Sequence, residues 1–172
     1  MLIAAGLASA MKAATEGAVE PASALTALGN AIADYVKDNA EILFSWTAAM
    51  VNPPFTPDPT VIANGEIVDL TIVLTPSMAT TQPAALSALA GEIQAGFMTG
   101  MYNITDSGFA TSPAVMADIP PLTISIMASD RDSAYLQLAN QIIDWITAYV
   151  PATPCAGTHG NYTGSGSATT IQ

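Results

Sequence analysis

Three apolar stripes at helical spacing alternate along this chain with three runs whose apolar residues recur at every second position. A chain that keeps switching between those two periods has to build both helices and strands. Leu25, Leu28, Ile32 and Val36 form the first stripe, Leu86, Leu89, Ile93 and Phe97 the second, and Tyr135, Leu138, Ile142, Ile146 and Tyr149 the third. Between and beside them, Ile42, Phe44 and Trp46 alternate with Leu43, Ser45 and Thr47. Val68, Leu70, Ile72 and Leu74 alternate with Asp69 and Thr71, and Leu122, Ile124 and Ile126 with Thr123 and Ser125. The pattern predicts an α+β fold with a small, mostly antiparallel sheet drawn from roughly 41 to 51, 66 to 75 and 122 to 127 and helices packed on one face.

Local signals place the helix ends. The Ala-, Leu- and Met-rich run from Leu2 to about Thr15 favours a first helix, which Gly17 can stop. A second helix starts after Pro21, where Ser23 or the proline itself opens the first turn, Thr81 is a candidate cap for a third from about Pro83 to Met98, and Ser129-Asp130-Arg131-Asp132 gives the last an acidic start. Pro151 ends that helix. The stretch 52–59 has four prolines in eight positions and is read as a stiff, exposed loop, with 101–121 as a second long loop. Residues 152–172 are rich in Gly, Ser and Thr and predict a flexible C-terminal arm beyond a single domain at 1–151. No repeat is visible at a period of about 20 to 50 residues.

Charge narrows the function classes. Only 10% of the 172 residues are charged, against about a quarter in ordinary soluble domains, and three basic residues face fourteen acidic ones for a net charge of −11. Such a surface is unsuited to nucleic acid or to an anionic membrane, so neither is expected as a partner. The apolar N-terminal run has no basic flank ahead of it, which argues against a secretory leader, and no stretch reaches the length of a membrane span.

The residues that carry chemistry are few. Cys155 and His159, the one cysteine and the one histidine, sit four apart, yet no other Cys or His exists to complete a zinc site and no rigid base or oxyanion hole accompanies the thiol. Asp130 and Asp132, with Asp118 upstream, offer the carboxylates of a hard-cation site or an acid/base pair, but Asp130 and Asp132 are read as helix-start caps and dipole partners, since the rest of a calcium loop is missing. Asn103-Ile104-Thr105 and Asn161-Tyr162-Thr163 match the glycosylation acceptor pattern. Trp46, Phe55 and Trp145 are candidates for a ligand pocket, with core packing as the plainer reading of the tryptophans. No catalytic, cofactor-binding or metal residue is assigned, and the chain is not expected to be an enzyme.

The last helix running into Pro151-Ala152-Thr153-Pro154-Cys155-Ala156-Gly157-Thr158-His159-Gly160, and then Thr163-Gly164-Ser165-Gly166-Ser167-Ala168-Thr169-Thr170-Ile171, resembles the ending of structural proteins in tailed-bacteriophage virions. The resemblance is one of type and covers the last quarter of the chain. It implies a non-enzymatic neck, tail, baseplate or head-surface subunit, located in the virion, that contacts copies of itself and other virion proteins as a homo-oligomer. Its loops and C-terminal arm would wrap neighbours, with Ser167 to Ile171 pairing along a neighbouring sheet edge. The alternatives are a small-molecule or carbohydrate-binding module and a secreted surface protein.

Overall fold

Each helical stripe becomes a helix. The computed structural model describes residues 1–50, 60–104, 109–111, 114–115, 120–149, 154–159 and 162–171. The helices are α1 (Ala4–Thr15), α2 (Pro21–Asn39), α3 (Gln82–Thr99) and α4 (Arg131–Tyr149). Prolines occupy the first turn of α2 and α3, where the missing N–H has no intrahelical partner to lose. Gly17, at φ 80°, takes the left-handed turn that follows α1. Leu28, Ile32 and Val36 of α2, Ile93 and Phe97 of α3, and Leu138, Ile142 and Ile146 of α4 meet in one core with Leu7 and Met11 of α1. Burying each such side chain contributes about 1.5–3 kcal/mol. Leu25, Leu86 and Leu89 complete the stripes only as half-buried residues.

The third alternating run lies outside the sheet; of the second, residues 66–69 close a strand, Thr60–Asp69, and only residues 70–75 lie outside it. Leu70, Ile72 and Leu74 are buried and Thr71 and Val73 exposed, as a strand would have them. Their neighbours, however, are helices. A Cβ added to Gly96 of α3 would stand 2.7 Å from the Thr71 carbonyl oxygen, and one added to Gly29 of α2 would collide with the Ile72 carbonyl, so the segment is wedged between α2 and α3. Val68 departs from the expected face. It is exposed and Ile67 is buried, because a bulge between Ile67 and Asp69 shifts the alternation by one residue.

Residues 122–128 form the matching segment between α3 and α4, and glutamine side chains take the place of a strand partner. Gln94 Oε1 accepts from the Leu122 N–H at 3.1 Å, and Gln141 accepts from the Ser125 N–H at 2.7 Å while donating to its carbonyl at 2.9 Å. Gln137 Oε1 accepts from the N–H groups of Met127 and Ala128 at 2.9 and 3.2 Å. An extended backbone can therefore satisfy its polar groups without joining a ladder.

The sheet is larger than expected. It comprises β1 (Ile42–Met50), β2 (Thr60–Asp69), β3 (Met101–Ile104), β4 (Phe109–Thr111), β5 (Ala114–Val115), β6 (Pro154–His159) and β7 (Tyr162–Ile171), in the order β4-β6-β7-β1-β2-β3-β5, with every pairing antiparallel. The stretch read as loop 101–121 thus supplies three short strands. The stretch read as a free arm supplies two, and β7 pairs along the whole of β1, from Ile42 opposite Ile171 to Met50 opposite Tyr162. Ser167 to Ile171 therefore pair within their own chain. The Pro-rich 52–59 stretch and Asp118 lie outside the described residues.

The two edge strands, β4 and β5, are consecutive in sequence. Thr111 and Ala114 are three residue steps apart, so those strand ends lie within about 11 Å of each other. Seven strands laid flat would separate the edges by about 29 Å at ~4.8 Å per strand. The sheet must curl until its edges meet, as an incomplete barrel does. Four helices and an antiparallel sheet make this an α+β fold, with α2 leading into β1 and α3 into β3.

A repeat that no fixed period exposes underlies this layout. Ser23, Ala24, Leu28, Asn30, Ile32 and Asp34 of α2 correspond to Ser133, Ala134, Leu138, Asn140, Ile142 and Asp144 of α4, and burial follows the same order. In α3, Leu86, Ala88, Leu89 and Ile93 match Leu25, Ala27, Leu28 and Ile32 of α2. Leu70-Thr71-Ile72 and Leu122-Thr123-Ile124 lead toward α3 and α4. Three units of helix and following strands result. α1 packs against both α2 and α4, in the position where the other helix pairs hold an extended segment.

Candidate interaction surface

Because the C-terminal ends of α2 and α3 feed the sheet, the N-terminal ends of the three long helices collect at the opposite pole. Gln82, at the start of α3, donates to the Ile126 carbonyl ahead of α4 at 3.4 Å. Pro21 and Leu25 of α2 share a groove of about 350 Å³ with Leu86 and Leu89 of α3 and with Pro76. α1 runs antiparallel to its neighbours and brings its C-terminal end to the same pole. There Lys12 Nζ meets the Asp132 carboxylate at 2.8 Å, and Arg131 donates to Thr15 Oγ1 at 3.0 Å while its guanidinium lies 5.4 Å from the centre of the Tyr135 ring.

Three large apolar side chains stand free at this pole. Met78 is 95% exposed, Val19 91% and Met127 88%. Met78 and Met127 occupy equivalent places, each three residues before the residue that begins its helix, Thr81 and Asp130. Val19 precedes the N-cap of α2, a position from which an apolar side chain commonly folds back on the first turn, and it does not do so here. Nothing in the sequence singles these three out, since single Met or Val residues in connections carry no periodic signal.

The carboxylates assigned to the last helix sit as expected. Asp130 Oδ1 accepts from the Ser133 N–H at 2.8 Å, a helix N-cap, and this bond with the Ser133 hydroxyl holds the carboxyl below the ordinary carboxylate range. Asp132 is the partner of Lys12. Thr81 begins α3 without a side-chain capping bond. Trp145 is core: it is buried, its Nε1 donates to the Pro120 carbonyl at 2.7 Å, and its ring meets Phe97 edge-on at 5.4 Å. Cys155 and His159 fall on β6, where four residues of extended chain separate them by about 13 Å, too far to share one metal ion. Asn103 lies in β3 opposite Glu66. Phe55, Asn161 and the side chain of Trp46 are outside the described residues.

Among the described residues, no cluster of three or more His, Cys, Asp or Glu could hold a metal ion, and no helix is long and apolar enough to cross a membrane. No protein-family model matches the chain, and neither a curated protein nor a solved structure does.

Proposed function

We propose that the chain is a non-enzymatic structural subunit of a tailed-bacteriophage virion, a neck, tail or baseplate component acting through contacts with copies of itself and with other virion proteins. The observation that carries the reading is a surface left apolar in a chain with few charges to solvate it. Beyond the pole, Ile3 on the α1 flank, Val73 on the segment between α2 and α3, and Leu136 on α4 are all exposed. Isolated apolar residues on a surface are ordinary, but here charged residues are 10% of the chain and the exposed apolar ones recur on several sides. Subunits finished by burial against neighbours have this character. The type resemblance of the closing residues points to the same class of protein.

The test is to raise antibodies against the purified chain and label intact, purified particles of the phage that carries it. Labelling at a fixed place on the particle is expected. Particles free of the protein, with the chain confined to the soluble fraction of infected cells, would overturn the assignment.

A further inference from the structure

We infer that the pole formed by the connections into α2, α3 and α4 is a docking surface for a basic partner protein, one that offers apolar pockets rimmed by Lys or Arg. The inference rests on the subunit reading above and names the kind of partner this one surface takes.

Two observations fix the occupant. The first is the set of apolar contacts, Val19, Met78 and Met127, almost wholly exposed on three separate connections that α2, α3 and α4 hold in place. Methionine is flexible and polarisable, and side chains of this kind fit partner surfaces of varied shape. The second is the charge around them. Glu16, Glu20, Asp130 and Asp132 are exposed at this pole against two described cations, Lys12, which pairs with Asp132, and Arg131, which bonds Thr15 and lies beside the Tyr135 ring, so carboxylates outnumber cations there by four to two. A pole-to-pole pair of copies would set these carboxylates against their own counterparts, between two molecules of net charge −11 each. Anionic lipid and nucleic acid meet the same repulsion. A protein surface with a positive rim gains from both the apolar contacts and the charge. Copies of the chain are left to meet through the flanks, where Ile3, Val73 and Leu136 are exposed.

The experiment titrates the isotope-labelled full chain with a synthetic amphipathic helix of leucine and lysine and follows backbone amide shifts. An all-lysine peptide and neutral phosphatidylcholine vesicles serve as comparisons. Expected are shifts concentrated at 16–20, 77–81 and 127–132, binding that weakens as salt rises, and at least tenfold weaker binding by the triple variant Val19→Ser, Met78→Ser, Met127→Ser. Because those side chains are exposed, the variant is expected to keep the wild-type melting temperature. A Val68→Ser variant, changed at an exposed apolar residue of β2, is expected to bind as the wild type does. The inference is overturned by shifts centred elsewhere, by equal binding of the triple variant, by equal response to the all-lysine peptide, or by vesicles perturbing the pole as the amphipathic peptide does.

Sedimentation of the same proteins separates this inference from the one beneath it. Copies that assemble while the pole ignores the peptide remove the docking surface and leave the subunit reading. A chain that is monomeric at every concentration yet binds the peptide at the pole removes the subunit reading and leaves the docking surface. Self-association lost in the triple serine variant makes the pole an interface between copies and overturns the inference.

Discussion

Two glycines of α3 present the same chemical change in opposite surroundings, and the fold predicts opposite outcomes. Gly91 is exposed, with nothing within 4 Å of where a Cβ would stand, so Gly91→Ala gains helix propensity and reduces the freedom of the unfolded chain, about 0.5–1 kcal/mol of added stability. Gly96 gains the same propensity, but its Cβ would stand 2.7 Å from both the Thr71 carbonyl oxygen and Ile72 Cγ1, and 3.2 Å from Ile72 Cα. Two of those three atoms are backbone, which cannot rotate aside, so α3 and the 70–74 segment have to separate. Overpacking of this sort costs about 1–3 kcal/mol, and the backbone contact puts Gly96→Ala at the upper end, a net loss of about 2 kcal/mol. The two variants should differ by about 3 kcal/mol, or roughly 6–12 °C in melting temperature for a domain of this size. Urea unfolding is the assay, with equal m-values required so that the midpoints compare stability alone. Equal stabilisation by both alanines would refute the wedging of residues 70–74 between α2 and α3, and the three-unit layout with it.

Gln141→Ala removes both bonds to Ser125; since Ser125 is exposed and water can replace part of the loss, about 1–2 kcal/mol is expected, with faster amide exchange at 125–128. Trp145→Phe keeps an aromatic ring against Phe97 but loses the bond to the carbonyl of Pro120, an exposed residue that water can reach, and a loss of about 0.5–1.5 kcal/mol in urea unfolding is expected. The Ser133 N–H and hydroxyl hold the Asp130 carboxyl below the ordinary carboxylate range in the folded state, so its contribution is present above the unfolded pKa and fades as pH falls through the folded one. Asp130→Ala should accordingly lower the melting temperature at neutral pH and converge on wild type in acid, while Asp130→Asn keeps most of the cap.

How much of this was legible in the sequence depends on the range of the forces involved. Leu28, Ile32 and Val36, and Leu138, Ile142 and Ile146, announce their helices because a 3.6-residue period is a local property. The Leu70-Ile72-Leu74 alternation announced extended backbone just as well, but alternation does not say what lies alongside, and here the neighbours are two helices made approachable by Gly29 and Gly96. Gln94, Gln137 and Gln141 gave no sign of serving as a ladder, since a glutamine on a helix surface ordinarily faces water. Tyr162 to Ile171 looked like a flexible arm because composition reports on an isolated segment, whereas its order comes from β1, more than a hundred residues earlier. β3, β4 and β5 are two to four residues long, too short for any period to register. The repeat escaped notice because the connections between its helices differ in length, and Val19, Met78 and Met127 became a surface only once three separate connections were brought to one end.

Sedimentation velocity of the purified full chain, over a wide range of protein and salt concentration, tests the central claim most directly. If neighbouring chains complete this weakly charged surface, the mean sedimentation coefficient rises with concentration toward a defined oligomer, and added salt strengthens the association by screening the acidic copies from one another. A single monomeric boundary at every concentration and every salt would contradict the account.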